Sequence, residues 1–396
     1  MSKSKGNVLD PLDLIDGIDL ESLVEKRTAG MMQDHLAPRI EKATRKHFPD
    51  GIDAFGCDAL RMTFGALATT GRDIRFDLGR IEGYKNFCNK LWNAARYVLM
   101  NTEALDDGDV EFSAADRWIR ARLDATTREM HKHFRAYRLD LAVQAVYEFT
   151  WHEFCDWYLE LSKPVLQSDE SSEALQRGTR RTLIDTLETL LRLLHPLIPF
   201  VTEEIWEQVS SRAGIEGDTI MLRPYPEASE EASDDSSVED IEWVKQFILG
   251  IRQIRGEMDI PPGKMLPVVL QHASESDQQR AKQHTLLLQR VGRVEEISQF
   301  DDSSEPPPAA TALLGAMRML VPMKGLIDVD AERARLEKQV GKVRAELAKA
   351  NGKLGNEKFV NNAPPAVVAQ ERDRVTEFEK TLSQLQEQLQ KLDELA

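Results

Sequence analysis

The sequence has 396 residues, of which 41% are apolar and 30% charged, the composition of a folded, helix-rich protein with two or three domains. No apolar run reaches the ~18 residues that cross a membrane, and the N-terminus has no apolar stretch that could act as a secretory signal. The three cysteines, Cys57, Cys88 and Cys155, are far apart and form no CxxC pair, which argues against a disulfide framework and a zinc site. We therefore expect a cytoplasmic protein with no bound metal.

The net charge of −16 disfavours a surface that is basic throughout, but a nucleic-acid-binding protein needs only one positive face. Much of the acidic excess lies in one stretch, EASEEASDDSSVED at residues 227–240, which is typical of a solvated linker. The acidic composition therefore does not exclude a nucleic-acid partner.

Helices are predicted along the first two thirds of the chain, after a polar region at residues 1–57. The first runs from Asp58, a suitable N-cap residue, to Ala68. A long amphipathic segment follows, and Ser113 with Asp116 then resembles a capping box that opens the next helix. The apolar residues of the long segment recur at helical spacing: Ile81, Tyr84, Cys88, Leu91, Ala95 and Val98.

Three more helices complete this region. One is predicted from Leu139 to Leu161, ending before Pro164. The next ends before His195, and a shorter one contains Trp206. Because helices of this length joined by short loops pack side by side, the sequence predicts a helix bundle.

A different pattern begins after the acidic stretch. One helix carries Ile241, Ile248 and Arg255 on one face, and LPVVLQ, VEEISQF and MRMLVPM then predict short strands. A polar helix and a DDSSEPPP loop divide them. A small α+β module over residues 241–327 fits this order best.

The last segment has the clearest periodicity. Apolar residues alternate spacings of four and three from Leu336 to Leu354, and the pattern resumes from Val375 to Leu392 after a break at Pro364-Pro365. Two matching seams around a proline break predict an antiparallel coiled-coil hairpin. Basic residues outnumber acidic ones on the first arm, which indicates either a surface that lies along phosphates or an ordinary solvated face.

Other polar candidates are weaker. His131 and His133 are two positions apart on a helix and diverge, so they cannot share a metal. Asp234 and Asp235 lie in a flexible acidic run, where a general acid could not be positioned, and His195 is interpreted as helix-terminal structure. Tryptophans at helical spacing are more often core residues than platforms for bases; the ones in question are Trp118, Trp151, Trp157 and Trp206.

The first seven residues, MSKSKGN, form a short loop that can bring ammonium and hydroxyl groups against phosphate. They resemble the Lys-Met-Ser-Lys-Ser signature of class I aminoacyl-tRNA synthetases, entered one residue late. The resemblance implies an ATP-binding loop that consists of Met1, Ser2, Lys3 and Ser4. Lys3 would be its catalytic residue, since a positioned cation stabilises the charge that builds on the leaving pyrophosphate.

Further segments resemble the same enzymes. LLHPLIPFVTEEIW (193–206) resembles the anticodon-binding bundle shared by the synthetases for valine, isoleucine, leucine and methionine. Four segments resemble the valine enzyme in particular: residues 71–99, 151–161, 251–264 and 356–372. The isoleucine enzyme is the nearest rival, but the hairpin favours the valyl-tRNA synthetase family.

The resemblance implies a mainly α fold with five parts. In chain order these are the end of a class I catalytic domain with its signature loop and stem-contact connector (1–80), an anticodon-binding helix bundle (81–225), the acidic linker (226–240), the small α+β module (241–327) and a coiled-coil tRNA-binding arm (328–396). The implied partner is tRNA(Val), and the substrates of the parent enzyme are valine and ATP with Mg²⁺. The chain is expected to be a monomer, and its candidate tRNA-binding residues on the arm are Lys338, Lys342, Arg344, Lys349 and Lys353.

Parts of such an enzyme are missing from the sequence. It contains no His-x-Gly-His signature, no βαβ series and no editing domain that could remove mischarged threonine. We therefore expect that these 396 residues alone do not activate valine, and that Met1 is an internal position of a longer reading frame. The alternative is a free-standing tRNA-binding protein built from the same modules, which predicts a promoter and ribosome-binding site directly before Met1.

Overall fold

The computed structural model describes residues 8–31, 33–69, 77–103, 105, 107–229, 234–300, 309–322, 329–355 and 365–393. The chain forms two compact units, residues 1–245 and 246–396. The predicted ATP-binding loop, Met1 to Ser4, lies outside the described residues. The five-part division made from the sequence is finer than these two units and stays a prediction.

The first unit begins with four short helices, α1 (Pro11–Asp16), α2 (Leu20–Thr28), α3 (Ala37–His47) and α4 (Cys57–Leu67). Asp10 and Asp19 cap the first two, because each side chain accepts a backbone N–H of the first turn. An isolated antiparallel bridge joins Ile18 to Ile52. These helices enclose a small apolar core that includes Leu14, Leu23, Ile52, Leu60 and Ile81.

Asp58 does not cap the helix in which it lies, so that prediction was wrong. Helix α4 begins at Cys57, after Gly56. The Asp58 carboxylate instead accepts the backbone N–H groups of Phe200 (3.3 Å) and Val201 (2.7 Å), at the start of a helix far along the chain. The residue type is right for capping, but the helix that it caps is a different one.

The predicted bundle is confirmed. It consists of α5 (Leu78–Asn101), α6 (Ala114–Arg135), α7 (Leu139–Glu148), α8 (Leu159–Gln167), α9 (Glu173–Leu194) and α10 (Pro199–Arg212). Helices α7 and α8 are joined without a break by π-helical turns over Phe149–Tyr158. The bundle core contains Trp118, Phe154, Leu187, Leu190 and Trp206, all at most 1% exposed.

The predicted helix end before Pro164 is wrong, because α8 continues to Gln167. Proline removes one N–H and crowds the preceding turn, which usually ends a helix. Here Pro164 and Val165 are both buried in the bundle. Packing of this apolar pair against neighbouring helices therefore outweighs the local preference.

The predicted capping box of α6 is confirmed. The Ser113 hydroxyl and the Asp116 carboxylate each accept the other residue's backbone N–H. Asp116 is completely buried and also accepts the Tyr158 hydroxyl at 2.6 Å and the Thr179 hydroxyl at 2.8 Å. Burial raises the pKa of Asp116, and these donors oppose the rise. One carboxylate thus ties together three segments of the bundle.

The acidic stretch is more ordered at its C-terminal end than a linker would be. Helix α11 (Asp235–Glu257) begins within it. Asp234 accepts hydrogen bonds from the hydroxyls of Ser236 (2.9 Å) and Ser237 (2.8 Å) and pairs with Arg117 at 2.9 Å. The expectation that Asp234 lies in a flexible run is therefore wrong, since it caps a helix and is anchored to α6.

The second unit contains a four-stranded sheet with the order β2-β1-β4-β3. Its strands are β1 (Leu266–Gln271), β2 (Val294–Gln299), β3 (Ala309–Leu314) and β4 (Met317–Pro322). β1 and β2 are parallel, with α12 (Glu275–Gln283) and α13 (Thr285–Arg290) in the connection, whereas β4 is antiparallel to both neighbours. The three predicted strands are confirmed, and β3 is an addition.

The part of α11 in this unit packs closely on the sheet. A Cβ added at Gly250 would meet the end of the Met319 side chain and the Ala312 Cβ, so a larger residue there would require the Met319 side chain to move. Arg255 is buried, and its guanidinium donates to the carbonyls of Pro261 (3.1 Å) and Arg293 (3.0 Å). These bonds fix the loop between the helix and β1.

The chain ends in a helical hairpin of α14 (Val329–Leu354) and α15 (Pro365–Asp393), which confirms the predicted antiparallel pairing. Lys353, near the end of α14, pairs at 2.8 Å with Glu371, near the start of α15. Residues buried along the two helices include Val340, Ala350, Val368 and Leu385. Within the described part of the chain, no helix is long and apolar enough to cross a membrane.

Candidate nucleic-acid interface

The five basic residues predicted on the arm fall into two groups. Lys349 pairs with Glu346 at 2.6 Å, and Lys353 with Glu371 at 2.8 Å. The other three are exposed, and no hydrogen bond or ion pair within the described residues engages their side chains: Lys338, Lys342 and Arg344. This second group is therefore free to meet phosphates.

Helix α5 carries a second exposed surface, which we call the amide stripe: Asn86, Asn89, Asn93 and Arg96, flanked by Trp92. Successive stripe residues are three or four positions apart, so they share one face of the helix. All are exposed, and the Trp92 side chain is 38% exposed. Among the described residues, no hydrogen bond engages these side chains.

The composition of the stripe is unusual for a solvated helix face. Asparagine is a poorer helix former than Lys, Glu or Gln, the usual residues on such a face. Three asparagines on one face thus lower helix propensity, and no hydrogen bond to another described residue compensates. Amide and guanidinium groups are, however, the side chains that read base edges, and an indole can stack on a base.

The tryptophans behave largely as the sequence predicts. Trp118 and Trp206 are at most 1% exposed, and Trp157 is 8% exposed. Trp151 is only half-buried and lies between the Tyr147 ring (5.6 Å, interplanar angle 12°) and the Lys90 ammonium, 4.0 Å from its centroid. These are core positions or closed stacks, so the exposed Trp92 is the better candidate for contact with a base.

Three side chains of α6 contact the acidic stretch or the residue just before it. Arg117 pairs with Asp234 at 2.9 Å, and Arg128 donates to the Ser229 carbonyl at 3.3 Å. His131 lies 2.7 Å from the Pro226 carbonyl and 3.3 Å from a carboxylate oxygen of the acidic stretch. This face therefore offers less free positive charge than its sequence suggests.

Nucleophilic and metal-binding groups do not assemble in the described part of the chain. Burial raises the pKa of both the Cys88 and the Cys155 thiol to about 12, so both stay protonated and unreactive. His133 lies 3.0 Å from Glu129, on a different side from the contacts of His131. Over the described ranges, no cluster of His, Cys, Asp and Glu could hold a metal ion.

Two family models match parts of the chain. Residues 116–270 match the family model described as the anticodon-binding domain of tRNA ligase, and residues 328–393 match the valyl tRNA synthetase tRNA binding arm. Residues 116–270 are therefore similar to the anticodon-binding domain of tRNA ligases. The second match is to the valyl-tRNA synthetases in particular, as the resemblance predicted.

Curated relatives support the narrower assignment. The valine–tRNA ligases of Xylella fastidiosa strains 9a5c and M12 are each 52% identical to the chain over 406 aligned residues, which cover 98% of the chain. The chain spans only 41% of the length of each relative. Among solved structures, a LeuRS in complex with tRNA from Agrobacterium radiobacter K84 aligns with 60% of this chain and 22% of its own chain. The identity is 18% and the TM-score is 0.35, which is too low to carry an argument.

The amide stripe is the part of the surface that our sequence interpretation missed. The apolar periodicity of α5 predicts only its buried side, which includes Ile81, Leu91 and Val98. The signal on the opposite side was the spacing of Asn86, Asn89 and Asn93 in a helix with no structural need for them. Only the structure shows that these side chains are exposed and unengaged.

Proposed function

We propose that this chain supplies the tRNA-binding part of a valine–tRNA ligase. Its helix bundle would bind the anticodon loop of tRNA(Val) through the amide stripe, and its arm would lie along the tRNA body. The whole enzyme would attach valine to that tRNA through an adenylate made from ATP. Cytoplasmic location and a monomeric state remain part of the same proposal.

The amide stripe is the observation that carries the anticodon-binding role. It lies on α5, outside residues 116–270 of the anticodon-binding match but in the same unit. Asn86 and Arg96 are 10 positions apart, about 15 Å along a helix at ~1.5 Å per residue. That length suits several unstacked bases, and the exposed amides can hydrogen-bond to their edges.

The arm would contribute affinity rather than selectivity. Among the side chains of α14 that the structure describes, no hydrogen bond or ion pair engages Lys338, Lys342 and Arg344. Cations on a long helical hairpin can follow a phosphate backbone, whose charge does not depend on base sequence. Lys349 and Lys353 would contact phosphates only by giving up their ion pairs with Glu346 and Glu371.

The catalytic part of the proposal concerns the first residues of the chain. Met1, Ser2, Lys3 and Ser4 would form the loop that closes over ATP and Mg²⁺ in the whole enzyme, with Lys3 stabilising the leaving pyrophosphate. The support for this role is the sequence MSKSKGN alone. We further propose that these 396 residues do not activate valine by themselves, and valine-dependent exchange of pyrophosphate into ATP by the purified chain would contradict that.

The test of tRNA binding is a variant that removes the polar groups of the stripe, Asn89→Ala/Asn93→Ala/Arg96→Gln. Its affinity for a tRNA(Val) transcript should fall about tenfold or more, since each lost base contact costs about 1–3 kcal/mol. The matched control, Gln208→Ala/Arg135→Gln, changes exposed residues on α10 and α6 that have no partner among the described residues. Equal affinity of both variants and the parent chain would rule out the stripe.

A further inference from the structure

The face of α6 that meets the acidic stretch carries three arginines. Arg117, Arg120 and Arg128 line a cleft of about 450 Å³ between α6 and α9, and Glu227 and Asp234 of the acidic stretch line the same cleft. The spacing of the arginines places them on one side of the helix. A row of guanidinium groups of this kind can follow a phosphate backbone.

The acidic stretch holds two of these arginines. Arg117 pairs with the Asp234 carboxylate at 2.9 Å. Arg128 donates to the Ser229 carbonyl at 3.3 Å, and the Ser229 N–H donates to the Asp124 carboxylate at 3.2 Å. The stretch is therefore attached to α6 at two points that are 11 positions apart, about 16 Å at ~1.5 Å per residue.

Four carboxylates line the cleft, and two of them belong to the acidic stretch: Asp124, Asp185, Glu227 and Asp234. Asp185 already pairs with Arg181 at 3.0 Å, and burial raises the pKa of Asp185. With all four present, carboxylates outnumber the arginines that line the cleft by four to three, whereas without Glu227 and Asp234 the arginines outnumber them by three to two. The acidic stretch therefore decides the sign of the charge in the cleft.

We propose that the acidic stretch competes with RNA for this face of α6 and so weakens RNA binding that does not depend on base sequence. Its carboxylate and carbonyl oxygens accept from the donors of Arg117 and Arg128 that phosphate oxygens would otherwise use. Among the described residues, no hydrogen bond or ion pair engages the guanidinium of Arg120, which lies 4.6 Å from the centroid of the Phe112 ring. The inference rests on the proposed function, because it adds a control of selectivity to an RNA-binding unit.

The contacts of the stretch are weak enough to be displaced. The side chains of Arg117 and Asp234 are 44% and 34% exposed, and the Glu227 side chain is 78% exposed. Ion pairs with this exposure are weak and are screened by salt. A ligand with specific base contacts elsewhere on the chain can therefore displace the stretch, whereas a ligand that offers phosphates alone must do so without that gain.

The experiment measures binding of the full chain to a fluorescent polyuridine strand, which offers phosphates but no anticodon. Glu227→Gln/Asp234→Ser removes both carboxylates, and serine keeps an oxygen that can cap α11. Affinity should rise about threefold to tenfold, because two exposed ion pairs no longer compete with the phosphates. Most of this rise should disappear when Arg117→Gln/Arg128→Gln is added to the same variant. Circular dichroism checks that each variant is folded.

The matched control is Glu216→Gln/Asp218→Asn, which removes the same charge from two exposed positions after α10. Among the described residues, no hydrogen bond or ion pair engages either side chain. The control should change affinity by less than about twofold, since salt screens distant charges. An equal rise in both variants, or no rise in Glu227→Gln/Asp234→Ser, would overturn the competition, and the proposed function would still stand if the parent chain binds tRNA(Val). Absence of tRNA(Val) binding by the parent chain would instead remove the proposed function itself.

Discussion

At the scale of single residues, polar side chains fix the start of helix α10. Asp58 caps it, and Arg61 donates to the carbonyls of Leu197 (3.1 Å) and Pro196 (2.9 Å) in the turn before it. Nδ1 of His195 lies 2.9 Å from the Thr202 hydroxyl. These hydrogen bonds join the first helices of the unit to the bundle. The charged side chains of Asp58 and Arg61 both have partners in this junction.

His195 should make the stability of this unit depend on pH. Burial lowers the pKa of His195, while Glu203 and Asp58 oppose the shift, so the folded state favours the neutral ring. The unfolded chain binds the proton at about pH 6.5. The contribution of the neutral ring is therefore complete above that pH and is lost as the pH falls below it.

The measurement is thermal unfolding of the wild-type chain and of His195→Gln at pH 7.5 and 5.5. Glutamine keeps a group that can hydrogen-bond to Thr202 but cannot titrate. We expect the wild-type Tm to fall more between the two pH values than the Tm of the variant. Equal falls would show that His195 is not the titrating group.

The roles of Asp58 and His195 illustrate what local sequence cannot show. Asp58 has the right chemistry for an N-cap, but the amide that it binds is 142 residues away. His195 precedes a proline beside an apolar stretch, which predicted a structural role but no partner. Long-range contacts of this kind depend on how helices pack, and no single-sequence pattern encodes that.

At the scale of elements, periodicity predicted the helices well and failed where packing overrides local preference. The apolar spacing of α5, α9 and the hairpin is strong because each buries one continuous face. Pro164 lies inside a helix because its surroundings bury it. Strand β3 was missed because AATALL is poor in β-branched residues, and its pairing with β4 stabilises it instead.

Two glycines in the bundle should respond to alanine in opposite directions. At Gly178, inside α9, an added Cβ would collide with the Glu111 carbonyl oxygen, whereas nothing lies near the Cβ position of Gly83 on α5. Gly178→Ala should therefore destabilise the chain by about 1–3 kcal/mol through overpacking. Gly83→Ala should stabilise it by about 0.5–1 kcal/mol through helix propensity.

Urea unfolding followed by circular dichroism compares the two variants with the parent chain. The midpoint should move to lower urea for Gly178→Ala and to higher urea for Gly83→Ala. A higher midpoint for Gly178→Ala would mean that α9 and the Glu111 segment are not in close contact.

The arm should bind tRNA mainly through its free cations. Replacing Lys338, Lys342 and Arg344 with Gln should remove roughly two phosphate contacts. Each contact contributes about 0.7–0.9 to the slope of log affinity against log salt concentration, so the slope should become shallower. Replacing Lys349 and Lys353 should have a smaller effect, because each is paired with a glutamate. Titrations at several salt concentrations measure both slopes, and an unchanged slope for the triple variant would exclude the arm from the phosphate contacts.

At the scale of the whole molecule, the net charge of −16 and a tRNA partner are compatible because charge is distributed unevenly. The acidic stretch engages part of α6, whereas the amide stripe and the free cations of α14 are left open. The family was predictable from the sequence, since long motifs occur in order along the chain and the comparisons confirm it. The residues that would read bases could not be predicted from the sequence. Whether a side chain is exposed and without a partner depends on the fold.

A bundle that reads base edges should distinguish one anticodon from another. The most direct measurement is the affinity of the full chain, at one fixed salt concentration, for a tRNA(Val) transcript and for the same transcript with a changed anticodon. We predict that the change weakens binding about tenfold or more, because contacts at base edges are lost while phosphate contacts remain. Equal affinity for the two transcripts would contradict the account.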